Sequence, residues 1–140
     1  MTTTPPHTLR ARLRRLARDD RGAVSVELVM ATPVLILLLL TVIQFGLYLH
    51  ACHVAQSAAA QGLSAARVAG GTAESGSTET RRALDLLGSG VLGGTTVTST
   101  RTAADVSVAV TGTAVQVVPF LTLTVHAEAH GPVEVFRGAG

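Results

Sequence analysis

The chain has 140 residues, 47% of them hydrophobic, 3% aromatic and 14% charged, which is too apolar for a disordered segment and leaves room for at most one modest domain. All eleven basic residues are Arg, and the single cysteine, Cys52, excludes an intramolecular disulfide and a cysteine-based zinc site. The net charge of +2 and the pI near 9.5 raise the question of a nucleic-acid partner, but the charge is unevenly placed: residues 1–22 carry six Arg against two Asp, whereas residues 23–140 carry five Arg against seven acids, so no nucleic-acid surface remains once the leader is set aside.

Residues 1–22 read as a basic cytoplasmic leader, with Arg10, Arg12, Arg14, Arg15, Arg18 and Arg21 ahead of any apolar run. From Leu28 to Leu49 the sequence LVMATPVLILLLLTVIQFGLYL holds twenty-two residues without a formal charge. As a helix it reaches about 33 Å, against a hydrocarbon core of about 30 Å. Residues 23–49 are therefore predicted to be a transmembrane helix. The Arg bias places the N-terminus in the cytoplasm and the rest of the chain outside, with Tyr48 and His50 at the outer interface. Pro33 lacks the amide for the bond back to Val29 and is expected to kink or loosen the helix, with Thr32 compensating. Thr32, Thr41 and Gln44 are isolated polar groups that bond either across to another helix or, as is more frequent, to their own backbone. A cleaved secretory signal is the competing reading, with Ala58-Ala59-Ala60 as its cut site; its apolar core is normally shorter, and these alanines lie beyond the run in a stretch that still reads as helix.

The chemistry sits at the start of that helix, in Asp20-Arg21-Gly22-Ala23-Val24-Ser25-Val26-Glu27. Glu27 is a carboxylate at the membrane edge with no further charge for thirty-nine residues, a costly placement unless it is paired or reaches the interface. A snorkelling interfacial Glu is the plain account. The alternative is a cut between Gly22 and Ala23, which frees an α-amine and leaves Glu27 as the fifth residue of the new chain. There the helix dipole favours its charge and the amine of an adjacent copy pairs with it. Glycine offers a protease open backbone, and the flanking Arg residues hold the peptide at an anionic face.

A short Arg-rich leader, Gly22 at the cut, Glu27 five residues later and a long apolar helix resemble the type IV prepilins. More narrowly, RGAVSVELVMATPVLILLLLTVIQFGLYLHACHVAQSAAAQGLSAARVA is similar to the TadE-like pseudopilins of the tight-adherence (Flp) pilus system, where a Pro follows the Glu and a small-residue helix continues past the membrane. The resemblance covers roughly residues 18–70. It implies processing after Gly22 by a membrane-embedded prepilin peptidase, and a minor structural subunit that contacts other pilin-like subunits through the transmembrane helix. Leu28 stands where type IV pilins commonly carry Phe.

Beyond the membrane, residues 50–70 are rich in helix formers, so the helix is expected to continue. Val54, Ala58, Leu63 and Ala66 form a narrow apolar stripe for docking an outer domain, and Gly70 and Gly71 end the helix. Residues 71–94 read as a linker with a short helix: GGTAESGSTET is polar, and Thr78 or Thr80 is expected to cap a helix through Leu87, which Gly88-Ser89-Gly90 stops. Residues 95–140 change period. Four β-branched runs, at residues 95–100, 105–110, 114–118 and 121–127, are separated by Thr-Gly-Thr or Pro119 and predict three or four antiparallel strands. The ending Gly131–Arg137 is similar to the Pro-x-Glu tail of TadE-like proteins.

His50 and His53 lie three apart on a helix, and His126, Glu128 and His130 share one face of a strand. The latter trio is a metal-ligand set only if a further ligand joins it, and a solvated strand face accounts for it more simply. No nucleophile elbow, phosphate loop, dinucleotide fingerprint or zinc-protease motif occurs, so no enzyme, cofactor or metal is expected. Cys52 reads as a small packed hydrophobe or as one half of a bridge between two chains. The expectation is an α+β protein, a long N-terminal transmembrane helix followed by a small antiparallel sheet, acting as a minor pilin-like subunit. The alternative is an uncleaved, single-pass, membrane-anchored binding or scaffold protein.

Overall fold

The computed structural model of the chain describes residues 7–134, with side chains described from Ser25 onward. The leader arginines and Ala23 thus have no described side chains, and the Val135–Arg137 part of the tail lies outside the described residues. The elements run α1 (His7–Arg67), α2 (Ala73–Leu87), β1 (Leu92–Arg101), β2 (Asp105–Ala114) and β3 (Thr124–Pro132). The chain divides into two units, Met1–Leu39 and Leu40–Gly140.

The first unit consists of α1 as far as it is described. Its large apolar side chains, from Val26 and Leu28 through Leu39, are exposed all round the helix. A helix in water normally hides one such face. Ser25–Arg67 is the one candidate membrane-crossing helix among the described residues, by length and composition. The helix runs unbroken through Pro33, and Thr32 Oγ1 donates to the Leu28 carbonyl at 2.7 Å, the back-bonding expected of a polar side chain in such a helix.

The second unit holds the remainder of α1, α2 and a three-stranded antiparallel sheet of order β1-β2-β3. The fold class is α+β, as the change of hydrophobic period indicates. In β2 and β3 every second residue is buried: Val106, Val108 and Val110 pair across the sheet with Gly131, Ala129 and Ala127. That face closes on Ala51, Val54, Ala55, Ala58, Ala59 and Ala66 of α1 and on Ala83 and Leu84 of α2. Val54, Ala58 and Ala66 of the expected stripe are buried and Leu63 is half-buried beside them. Alanines dominate because a small side chain lets the backbones approach.

The structure differs from the sequence reading in three places. The stretch expected to be polar linker is the first half of α2, whose N-cap is Thr72 rather than Thr78 or Thr80: Thr72 Oγ1 accepts from the Ser75 amide and Ser75 Oγ accepts from the Thr72 amide, both at 3.0 Å. This is a capping box with Ser in the place usually taken by Glu or Gln. Thr111-Gly112-Thr113, expected as a turn, lies inside β2, where Gly112 leaves room for Leu92 and Thr95 of the neighbouring strand. Residues 115–118 form no strand, so the described sheet has three strands and not four. Pro119 has no amide to give a ladder, and the amides of Val117 and Val118 are bonded elsewhere.

Gly70, at φ 78°, follows the end of α1, the left-handed conformation that glycine adopts freely at helix ends. Two side chains then occupy that end. Arg101 of β1 donates to the Ala66 carbonyl and, at 3.3 Å, to the Val68 carbonyl. Arg67 Nε meets Glu134 Oε1 at 3.0 Å, while the Glu134 amide donates to the Arg67 carbonyl at 2.8 Å. A guanidinium at the unsatisfied carbonyls of a helix C-terminus is favoured both as a donor and as a positive charge.

Candidate functional site

The residues proposed to carry function lie along α1. Gly22 and Ala23 are within its helical backbone. Glu27 is exposed, and among the described residues no donor is bonded to its carboxylate. A carboxylate followed by no further charge for thirty-nine residues therefore has no described compensation from within the chain.

The polar group that the sequence reading misplaced is Gln44. It bonds neither another helix nor its own backbone but the connection between β2 and β3. Nε2 donates to the Val115 carbonyl at 2.9 Å, and Oε1 accepts from the amides of Val117 at 2.6 Å and Val118 at 3.1 Å. The side chain is completely buried. A primary amide has two donors and an acceptor with two lone pairs, so one residue satisfies three backbone groups that a loop of this kind leaves open. The adjacent amides are also used: Val115 N donates to Val91 O at 3.0 Å, and Ala114 N to Leu123 O at 2.9 Å.

The loop so held turns at Val118-Pro119-Phe120-Leu121, where Leu121 N donates to Val118 O at 3.3 Å. Phe120 has φ 68°, the one described non-glycine residue at positive φ. Pro followed by a residue of positive φ is the pattern of a type II turn, in which glycine is the usual third residue. A bulky residue there costs on the order of 1–3 kcal/mol, and the Phe120 side chain is 100% exposed.

Below Gln44 in the same unit, α1 meets α2 through glycine. An added Cβ at Gly62 would overlap Thr80 Oγ1 and stand 2.6 Å from the Gly76 carbonyl oxygen. Thr80 is fully buried and donates to that same carbonyl at 2.8 Å. Neither Gln44 as a clamp nor the Gly62–Gly76 contact was legible in sequence, because each depends on which segment packs opposite.

The histidines are not brought together. His50 and His53 are exposed on α1, and His126, Glu128 and His130 lie on the exposed face of β3. Glu128 Oε1 accepts from Ser107 Oγ at 3.0 Å, while its backbone carbonyl accepts from Gln56 at 3.2 Å. Among the described residues no group of three or more His, Cys, Asp or Glu is placed to hold a metal ion. Cys52 is a free thiol, half-buried against the core.

Among known families, the model of the TadE-like proteins matches residues 22–63, a likeness confined to that part of α1. The match ends within α1; α2 and the sheet lie beyond it. No curated protein and no solved structure matches the chain.

Proposed function

We propose that, with a TadE-like helix as its anchor, the chain acts as a minor pilin-like structural subunit in the assembly of a tight-adherence type IV pilus. The leader stays in the cytoplasm, a prepilin peptidase cuts between Gly22 and Ala23, and the sheet unit faces the outside. The observation that carries the reading is the family match, whose first residue is Gly22, the residue before the proposed cut.

The physical logic supports it. Residues 28–39 expose apolar side chains on every face, as a helix does that packs among lipids or other apolar helices. The proposed cut supplies the positive group that Glu27 lacks. The α-amine of Ala23 on one copy neutralises the Glu27 carboxylate of the next, so that two costly charges in the membrane become one pair. Pro33, through which α1 continues unbroken, has no amide to give the Val29 carbonyl, so one backbone bond is missing near this contact.

The test compares wild type with Glu27→Ala in cells that assemble the fibre. Both proteins are expected in the membrane fraction, because alanine only makes the segment more apolar. Wild type alone is expected in sheared fibres or cross-linked assemblies. Equal recovery of the two proteins in those complexes contradicts the pairing, and absence of both contradicts the assignment to the fibre machinery.

A further inference from the structure

We propose that the β2–β3 connection, residues 115–123, is a second membrane contact that seats Phe120 in the lipid leaflet at the Gln44 end of the span. The inference rests on reading α1 as membrane-spanning and assigns a lipid-facing surface to the sheet unit.

Position is the first argument. Gln44 lies seventeen residues after Glu27, about 25 Å along a helix and inside a hydrocarbon core of about 30 Å. The loop bonded to Gln44 is therefore held beside helix residues that are still at lipid depth. Phe45 and Leu49 are exposed on the same stretch of helix.

Composition is the second. The loop reads VQVVPFLTL, and no charged residue occurs from Val106 to Val125. Phe120 is wholly exposed at the turn, and Val115 and Val117 are more than a third exposed. Phe45, Tyr48 and Phe120 are three of the four aromatic residues in the chain, and the Gln44 clamp draws the Phe120 loop to the part of α1 that carries the other two. Aromatic rings gather at the membrane interface in this way.

Hydrogen bonding is the third. Irregular backbone enters a membrane only where its polar groups are satisfied by protein. Here the amides of Val115, Val117, Val118 and Leu121 have protein acceptors, Pro119 has no amide to satisfy, and Gln116 Nε2 donates to Val118 O at 3.1 Å. The amides of Gln116, Phe120, Thr122 and Leu123 have no protein acceptor among the described residues, so the loop sits at the interface, where headgroups and water serve them, and only the Phe120 ring reaches the lipid. Lipid is favoured over a protein partner by size. One ring and two half-exposed valines offer far less than the roughly 800 Å² per partner of a stable protein interface, whereas a single side chain is enough to enter lipid.

The chain contains no Trp, which makes a single-tryptophan experiment direct. Full-length Phe120→Trp, Leu38→Trp and Thr98→Trp proteins are reconstituted in phosphatidylcholine vesicles, with and without brominated phosphatidylcholine, and titrated with iodide. Leu38 is exposed on α1 and Thr98 is exposed on β1. The Trp at 120 is expected to show blue-shifted emission, quenching by bromolipid and protection from iodide, as is the Trp at 38, while the Trp at 98 shows the reverse. If the Trp at 120 is quenched by iodide like the Trp at 98 while the Trp at 38 is quenched by bromolipid, the loop proposal fails and the spanning helix stands. If the Trp at 38 is not quenched by bromolipid, the spanning reading fails and the proposal with it. Protection of the Trp at 120 from both quenchers means that a second copy covers it, which also overturns the proposal. Phe120 is fully exposed, so the core is preserved in that variant.

Discussion

Replacing Gln44 by Leu tests the clamp between helix and loop. Leucine approximates the volume of glutamine and makes α1 more apolar, so membrane insertion is retained. What is lost is one donor to Val115 O and one acceptor shared by Val117 N and Val118 N. At about 1 kcal/mol net for each of three bonds, closure of the loop weakens by about 3 kcal/mol. A difference of that size is about a 100-fold change in an equilibrium constant. Amide hydrogen exchange on the full-length protein in detergent micelles reads it directly. The amides of Val117 and Val118 are expected to lose about two orders of magnitude of protection, while Val108 and Val110 in the middle of β2 keep theirs. Unchanged protection at Val117 and Val118 would refute the argument that one buried side chain holds the loop.

Gly62→Ala forces a methyl group into Thr80 and the Gly76 carbonyl, so α1 and α2 must part; an overpacking cost of about 1–3 kcal/mol is expected, read as a lower midpoint in thermal unfolding, with Ala60→Gly at an exposed position as the control for helix propensity. Arg101→Ala removes the donor to Ala66 O and Val68 O and is expected to destabilise by about 1–2 kcal/mol, discounted for partial exposure; denaturant unfolding measures it, and Arg101→Lys is expected to recover only part because an ammonium lacks the planar fork. Arg81→Ala, on the exposed face of α2, is expected to shift the same midpoint by less than about 0.5 kcal/mol.

Much of the architecture can be read from residue types alone. A charge-free run of twenty-two residues fixes a long helix because no other arrangement satisfies its backbone in lipid, and alternating valines fix strands whose second face meets water. Gly70 and Gly90 follow the ends of α1 and α2 at positive φ, and Gly88 caps α2, as glycines at those points suggest. What escaped were features decided by the opposite surface. GGTAESGSTET reads as polar linker until Gly76 is seen packed against Gly62. Gln44 reads as a stray polar group in a membrane helix until the β2–β3 connection is seen to need three partners. The 114–118 run reads as a strand because its valines alternate, yet the amides of Val117 and Val118 meet the Gln44 side chain and not a neighbouring strand. For the proposed site the sequence is more informative than the fold: Gly22, Ala23, Glu27 and Pro33 form a motif in one short segment, and the family match begins at its first residue.

The state of the N-terminus bears most directly on the whole account. Intact-mass analysis of the protein isolated from membranes that contain an active prepilin peptidase is expected to show a chain beginning at Ala23, with residues 1–22 removed. A chain that still carries its arginine-rich leader would leave Glu27 without its counter-charge, and the protein would then be a tethered module and not an assembling subunit.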